Sequence, residues 1–259
     1  MKQSTKLVNN ASPLLGSMLL RKIKQRLGES IILHLPITRH VFNHLRWELR
    51  SIWVRANNKL NPLYLYKKRM IFNRSDLSVN IACGGSAKEG WVNLDLMQHK
   101  NLSLRYDCRK GLPLKEGSAA RIKCEHFFEH LDFSEEALPF LKSCYRSLKK
   151  GGALRIVVPD AGRFLRAYQT GSKDDWLALG WDLDNLPPGF STQMDIINHI
   201  FRQGEEHMYA YDFETISLLL KRAGFDKVGK SEFGISLDPR LTDDMPINKL
   251  HSLYVEAIK

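Results

Sequence analysis

The chain has 259 residues, and 43% hydrophobic content is enough to bury a full core, as in an ordinary soluble protein. No apolar stretch approaches the roughly 20 residues needed to cross a bilayer, and basic residues interrupt the short apolar run near the N-terminus. We therefore expect neither a membrane span nor a signal peptide. The four cysteines lack C-x-x-C pairing, which favours reduced thiols in a cytosolic compartment over disulfides or a cysteine-zinc site.

The net charge of +11 is concentrated at one end of the chain. Residues 1–75 contain 15 lysines and arginines against Glu29 and Glu48, a net charge of +13, whereas the remainder carries −2. This asymmetry predicts a basic arm, residues 1–75, attached to a nearly neutral domain, residues 76–259. Such an arm indicates contact with something anionic: nucleic acid, a lipid surface or a phosphorylated substrate.

The arm has two helix-like stretches, around residues 15–27 and 38–58. In the second, apolar side chains share one helical face and arginines lie elsewhere. The apolar face comprises Val41, Phe42, Leu45, Leu49, Ile52 and Trp53, and the arginines are Arg46, Arg50 and Arg55. Two interpretations remain open: a helix that packs on the domain, or an arm that binds a membrane surface or a polyanion.

From about residue 77 onward, short apolar strands alternate with amphipathic helices, which predicts an α/β fold with a sheet covered on both faces. The predicted strands are residues 77–83, 91–95, 102–107, 119–125, 154–160, 227–233 and 252–259, and the predicted helices are residues 134–152 and 213–224. We expect Gly151 and Gly152 to end the first helix and Gly224 the second, with Pro139 tolerated only in a first turn. The last two strands suggest a hairpin at the sheet edge.

Two interruptions of this alternation have consequences for function. Residues 161–211 lose the rhythm and are rich in turn formers, which predicts an insertion above the carboxyl edge of the sheet that serves as a substrate cap. Between Cys83 and Trp91 there are seven residues, too few for the usual helical crossover between parallel strands. We therefore expect the first crossover helix to be absent or reduced to a turn.

The ends of the first three strands carry a glycine turn and two acids. Gly84 and Gly85 allow the backbone to turn sharply and to approach a ligand closely. Asp95 ends the second strand, where a carboxylate can accept both hydroxyls of a ribose, and Asp107 ends the third. This arrangement is typical of a site for a nucleoside that lies across the carboxyl edge.

Several motifs in register then carry a family resemblance. They are "VNIACGGSAKEGWVNLDL", "YDCRKGLPL", "CEHFFEHLDFSEEALPFLKSCYRSLKKGGALRIVVPD", "EEHMYAYDFETISLLLKRAGF" and "SLYVEAIK". Residues 77–259 resemble class I S-adenosylmethionine-dependent methyltransferases, most of all the type 11 group found with polysaccharide and glycoconjugate biosynthesis. The resemblance implies a Rossmann-like, mostly parallel seven-stranded sheet with helices on both faces, and it does not extend to the arm.

The resemblance also implies roles for individual residues. The methionine part of S-adenosylmethionine would face Ala82, Cys83, Gly84, Gly85 and Ser86, with Ala82 replacing the usual first glycine. The ribose would bind Asp95 and Leu96, the adenine Asp107 and Cys108, and Glu125 and His126 would lie within reach of the cofactor. Candidate general bases are His207 and His126, either of which Asp160 could orient.

Residues 126–130 also match H-x-x-E-H, the inverted zinc-peptidase pattern, in which two histidines on one helix bind the metal. Here a predicted strand precedes the pattern and places His126 at a strand end instead of in the middle of a helix. We therefore expect no metal, and we expect Glu129 and His130 to orient the loop that follows the strand.

The sequence thus predicts methyl transfer from S-adenosylmethionine to an oxygen of a sugar or glycoconjugate, with nitrogen as the second choice of acceptor atom. Two alternatives stay open. One is a nucleic-acid methyltransferase that places the basic arm on phosphates; the other is a non-catalytic module that binds or has lost the cofactor. We expect a cytoplasmic protein, peripheral at anionic membranes if the arm binds them.

Overall fold

The computed structural model describes residues 38–259, so the helix predicted at residues 15–27 lies outside the described residues. Residues 50–259 form one compact unit, and residues 38–49 are the described part of another. The helices are α1 (Arg39–Leu60), α2 (Pro62–Phe72), α3 (Leu138–Ser147), α4 (Ala161–Thr170), α5 (Lys173–Leu177), α6 (Gln193–Arg202) and α7 (Phe213–Ala223).

Within the described residues the strands form one seven-stranded sheet in the order β3-β2-β1-β4-β5-β7-β6. Their bounds are β1 (Leu77–Ile81), β2 (Val92–Asp95), β3 (Leu104–Arg105), β4 (Ala119–Glu125), β5 (Leu148–Pro159), β6 (Lys227–Ser231) and β7 (Ser252–Ile258). Strands β1 to β5 are parallel, and β7 pairs antiparallel with both β5 and β6. The predicted α/β fold with a mostly parallel sheet and a closing antiparallel hairpin is confirmed.

One face of the sheet is apolar and is covered by α3 and α7, which pack on each other. In α3 the buried residues Phe140, Leu141 and Cys144 lie on the predicted face. Pro139 stands in the first turn of α3, directly after a π-helical turn, Phe133–Ala137. Asp212 caps the start of helix α7. Gly224 follows its last residue in the left-handed conformation, φ +111°, that terminates helices.

The other face carries a row of polar side chains that runs in register across five strands. Asn93, Asn80, Lys123, Arg155 and Glu256 are successive neighbours in this row, and all five are buried. Because buried charges require partners, this face needs a polar cover. The sequence analysis treated these strands as apolar on both faces and did not foresee this polar row.

The segment 232–251, between β6 and β7, supplies that cover. Asp244 is buried and accepts hydrogen bonds from Lys123 Nζ at 2.7 Å and from Arg155 Nε at 2.9 Å. Although burial opposes it, the hydrogen bonds from Arg155 and Lys123 lower the pKa of Asp244. The sequence had predicted helices on both faces of the sheet. Over the centre of the polar face, this segment takes the place of a helix.

The first crossover contains no helix in this described part of the chain, as predicted: β1 connects to its parallel neighbour β2 through turns alone. The prediction for the fourth crossover was wrong in one respect. Helix α3 ends at Ser147, and β5 already begins at Leu148, so Gly151 and Gly152 lie within the strand entry. Gly151 has φ +76°, and a Cβ on Gly152 would meet the backbone oxygen of Lys149 at 2.9 Å. The glycines thus form a bulge in β5 instead of a helix cap.

Helix α1 confirms the helix predicted at residues 38–58. In its second half, however, the buried residues are not those of the predicted apolar face. Its buried residues from position 50 onward are Ser51, Val54 and Asn58. Asn58 Nδ2 donates to the backbone oxygen of Arg105 in β3 at 2.9 Å. Ile52 and Trp53, from the predicted apolar face, remain 53% and 49% exposed.

Residues 161–211 contain α4, α5 and α6 and follow directly from the carboxyl end of β5. They have a small core of their own, formed by Phe164, Ala167, Trp176, Leu179, Ile196 and Ile197. Where the segment returns to the sheet edge, the backbone N–H groups of Met208 and Tyr209 both donate to the backbone oxygen of Glu129. The segment predicted as a cap is therefore connected to the loop that follows β4.

Among residues 38–259, no helix has both the length and the apolar character needed to pass through a bilayer.

Candidate functional site at the carboxyl edge of the sheet

The order of the strands reverses at the carboxyl edge between β1 and β4. Strands β2 and β3 extend to one side of β1, and β4 and β5 to the other. Ligands of open α/β sheets bind in the crevice at such a switch point. The predicted site residues follow β1, β2, β3, β4 and β5, so the fold brings most of them to this edge.

The turn after β1 is held open by Asp95. The N–H of Gly84 donates to Asp95 Oδ2 at 2.8 Å, and the N–H of Met97 donates to Oδ1 at 2.6 Å. Gly84 has φ +50°, and a Cβ added to Gly84 or Gly85 would contact nothing within 4 Å. The space above this turn is thus free for a ligand. Each Asp95 oxygen can accept a further hydrogen bond, and His99 Nε2 lies 3.7 Å from Oδ1.

Other residues assigned to the cofactor also surround this turn. Ala82 has φ +48°, a left-handed conformation that is strained for a residue with a Cβ. The N–H of Ser86 donates to the backbone oxygen of Cys83 at 2.8 Å, which closes the turn. Burial raises the pKa of the Cys83 thiol to about 12, and the Asp95 charge acts in the same direction. Leu96, directly after Asp95, is buried.

Asp107, the predicted adenine ligand, already has strong partners. Its carboxylate receives Nε and Nη2 of Arg109 at 3.0 and 3.1 Å, and Arg55 Nη1 lies 3.7 Å away. It also accepts from the N–H of Arg109, which begins a short turn at Cys108. The Cys108 side chain is buried, and burial raises the pKa of its thiol well above the usual value. The arginines therefore fix Asp107 as a support for this loop.

The structure gives Glu125 a structural environment. Its Oε1 accepts from Met245 N and Asn248 Nδ2, each at 3.0 Å, and its Oε2 lies 3.1 Å from Lys123 Nζ. Glu125 thus belongs to the polar face of the sheet and anchors segment 232–251. The sequence prediction that it lies within reach of the cofactor did not foresee these partners.

His126 lies at the mouth of β4, as predicted, and belongs to a chain of polar groups. Its Nε2 is 2.9 Å from Ser252 Oγ, and its Nδ1 is 3.2 Å from Glu129 Oε1. Its φ of +51° lies in the left-handed region, which is strained for a residue with a Cβ, and such strain clusters at functional sites. The negative charge of Glu129 beside Nδ1 favours the tautomer with its proton on Nδ1, which leaves Nε2 as a proton acceptor. The sequence analysis identified Glu129 only as a loop residue, and no local signal pointed to Ser252.

His207, the other candidate base, is a buried residue of the cap segment itself. Its Nδ1 is 2.7 Å from the backbone oxygen of Ile200, and its ring lies 4.9 Å from that of His130. Burial lowers the pKa of His207, although the hydrogen bond to Ile200 and the Glu129 charge oppose the shift. This environment favours a neutral imidazole.

Asp160 has a different role from the predicted one. Its Oδ1 accepts from the N–H of Arg163 at 3.1 Å and caps α4. Its own N–H donates to the backbone oxygen of His251. The hydrogen bonds in the described part of the chain therefore show Asp160 as a helix cap and do not connect it with His126 or His207.

The H-x-x-E-H residues do not lie on a regular helix. Residues Phe128–His130 form a single 3-10 turn directly after β4, which confirms the predicted position at a strand end. The zinc-peptidase geometry, with two histidines one α-helical turn apart, is accordingly absent from this described segment.

No family model matches the chain, and no curated protein matches its sequence. Solved structures with similar folds include an S-adenosylmethionine-dependent methyltransferase from Archaeoglobus fulgidus. It is 17% identical in sequence, the match covers 82% of this chain and 99% of that one, and the TM-score is 0.46. Another is an S-adenosylmethionine-dependent methyltransferase from Mesorhizobium loti, with 15% identity, coverage of 76% and 97%, and a TM-score of 0.43. At identities and TM-scores this low, function has to be inferred from the side chains at the sheet edge.

Proposed function

We propose that the chain is an S-adenosylmethionine-dependent methyltransferase that methylates a hydroxyl oxygen of a sugar or glycoconjugate. The observation that carries the proposal is the arrangement around Asp95. A buried carboxylate at the end of β2 supports an open glycine turn at the end of β1, next to the switch point of the sheet. The motifs that resemble class I methyltransferases occupy these same strand ends.

The residues present fit the cofactor. Each Asp95 oxygen accepts one backbone hydrogen bond and has the capacity for a second, which matches the two hydroxyls of a ribose. Gly84 and Gly85 leave room for the methionine part. Asp107, held by Arg109, keeps the backbone at Cys108 in a fixed position against which a base can lie.

When bound, S-adenosylmethionine supplies a methyl group that its sulfonium already activates. S-adenosylhomocysteine would be the product that leaves the site formed by Asp95 and the glycine turn. The chain's tasks are to align the acceptor and to take its proton. We assign the proton to Nε2 of His126, whose ring Glu129 orients from the opposite nitrogen. The Ser252 hydroxyl bonds to that nitrogen and marks where the hydroxyl of an acceptor would lie.

The test of this function is the transfer of labelled methyl groups from S-adenosylmethionine to glycan, lipid and RNA fractions. We expect label in a glycan or glycolipid fraction and its loss in Asp95→Ala. Label in RNA alone would favour a nucleic-acid methyltransferase. Binding of S-adenosylhomocysteine without transfer to any fraction would favour a non-catalytic module.

The basic arm is the basis for a proposed partner, an anionic membrane surface that carries the acceptor. Residues 1–75 have a net charge of +13, and one face of α1 remains about half exposed. The exposed residues of that face are Val41, Leu45, Leu49, Ile52 and Trp53. A basic segment with an exposed apolar helical face matches the chemistry of an interfacial helix, since each basic residue near an anionic surface contributes about 1 kcal/mol.

A further inference from the structure

Glu129, His130 and His207 bring three ligand groups together although His207 lies far along the chain from the other two. One donor atom from each side chain lies within 4.8 Å of the others. Zinc ligands about 2.0–2.2 Å from a tetrahedral ion lie roughly 3.3–3.6 Å from one another. Any two of these ligand atoms are therefore at most about 1.5 Å farther apart than in a tetrahedral zinc site.

Each of the two histidines is held in the way that metal ligands are held. His130 Nδ1 is 2.9 Å from the backbone oxygen of Glu206, and His207 Nδ1 is 2.7 Å from that of Ile200. A backbone oxygen can only accept, so Nδ1 of each ring is the donor and Nε2 is the nitrogen available to a metal ion. A second hydrogen bond of this kind is characteristic of metal-binding histidines.

Glu129 is the second, independent indication of a ligand. It is 1% exposed, and in the described structure neither carboxylate oxygen has a hydrogen-bond donor. His126 Nδ1 reaches an ion-pair distance of 3.2 Å from Oε1, but not hydrogen-bond geometry. A buried carboxylate without donors is costly unless a cation neutralises it, and metal coordination is one of the ways in which proteins do so.

The backbone holds the three residues in place before any ion binds. The N–H groups of Met208 and Tyr209 donate to the backbone oxygen of Glu129 at 2.8 and 3.2 Å. The chain directly after His207 is therefore fixed to the residue that supplies the carboxylate. Such an arrangement lowers the ordering cost of binding an ion.

We propose that Glu129, His130 and His207 bind one divalent transition-metal ion of the zinc type. Two imidazoles and one carboxylate suit zinc and its neighbours among the divalent ions, whereas magnesium and calcium prefer oxygen ligands throughout. His126 lies outside the set and supports Glu129 from the other side. The sequence analysis expected no metal because H-x-x-E-H lies at a strand end; His207 supplies a ligand from outside that pattern.

The ion would join the loop after β4 to the cap segment, residues 161–211. An effect of the ion on acceptor binding rests on the proposed function, because the cap covers an acceptor only if the chain is a methyltransferase. Metal binding itself requires no methyl transfer and is measured without it.

The experiment is a titration of the full-length, chelator-treated protein with Co²⁺, in which the visible absorption of the bound ion measures binding. Zn²⁺ is then added as a competitor to measure its affinity. The variants are His130→Gln, His207→Gln and Glu129→Gln, with His199→Gln as the control, since His199 is an exposed histidine outside the set. Binding of S-adenosylhomocysteine to the chelated protein is measured by calorimetry in parallel.

We expect one ion per chain in the wild type and in His199→Gln. Each ligand variant should bind the ion at least about 100-fold more weakly, since losing even a supporting group outside the coordination sphere costs roughly 10- to 100-fold. His130 is partly exposed, so His130→Gln tests the site even if the buried variants fail to fold. Absence of stoichiometric binding in the wild type, or equal affinity in His130→Gln and His199→Gln, would overturn the proposal. Cofactor binding to the chelated protein separates this outcome from failure of the proposed function.

Discussion

The substitution Asp95→Ala tests the cofactor site most directly. The wild-type carboxylate has two oxygens with about four acceptor positions, and the N–H groups of Gly84 and Met97 use two of them. Two remain for the ribose hydroxyls. Each charged hydrogen bond contributes about 1.5–3 kcal/mol, so the loss of both amounts to about 3–6 kcal/mol, or roughly 10²- to 10⁴-fold in the dissociation constant.

Calorimetry with S-adenosylhomocysteine measures this change. We expect one site per chain with at least roughly micromolar affinity in the wild type, and binding that approaches or exceeds the millimolar range in the variant. Unchanged affinity in Asp95→Ala would refute the assignment of the ribose site to Asp95.

Because Asp95→Ala also leaves two N–H groups without their acceptor, a control must separate binding from folding. Asp212→Ala removes a comparable hydrogen bond, the one that Thr215 N donates to the N-cap of α7 at 2.9 Å, at a cost of about 0.5–2 kcal/mol. Thermal unfolding should show a lower midpoint for both variants. Only Asp95→Ala should lose the cofactor; equal losses would place the effect in folding.

Three further predictions concern other parts of the chain. His126→Gln should lower kcat about 10²- to 10⁴-fold in the methyl-transfer assay while calorimetry shows unchanged affinity for S-adenosylhomocysteine, and a parallel loss of affinity would remove His126 from the role of base. A chain that starts at residue 36 should still fold and bind cofactor but sediment less with vesicles of anionic lipid at low salt, and equal sedimentation of both forms would contradict the membrane arm. The free energy of unfolding should decrease as the pH falls below about 6.5. Burial, together with the charges of His126 and Arg163, lowers the pKa of His251 in the folded protein. The unfolded chain therefore binds a proton in this pH range that the folded chain excludes. Denaturant titrations of His251→Gln should show a weaker decrease, and superimposable pH profiles would exclude this contribution.

The elements that the sequence predicted best are those with local signals. The burial pattern of β4 and the acid at the end of β2 were visible because a strand end and its polar side chain are neighbours in the sequence. Helix α7 has both an N-cap and a terminal glycine. The short first crossover followed from chain length alone. Helix α2 was missed although its signal was present, since Asn61 caps it and Pro62 opens it.

The features that were missed depend on distant residues. Gly151 and Gly152 carry the same local signal whether they end a helix or form a bulge, and the pairing of β5 with β4 decides between the two. The cover over the polar face joins Asp244 to Lys123 and Arg155, which no local pattern reveals. Likewise, the contact between His207 and the loop after β4 arises only when the cap segment returns to the sheet edge.

The position of β7 has a consequence for how the chain reaches its native state. This strand follows β6 in the sequence, yet it lies between β5 and β6 and pairs with both. During synthesis β6 therefore has no sheet partner until β7 has left the ribosome, and Arg155 in β5 lacks its partner Glu256 until the same moment. Closure of the sheet is thus a late event that joins segments far apart in sequence, a type of pairing that is intrinsically slow. Until then β5 presents an unpaired edge, the kind of surface on which newly made chains associate wrongly and chaperones act.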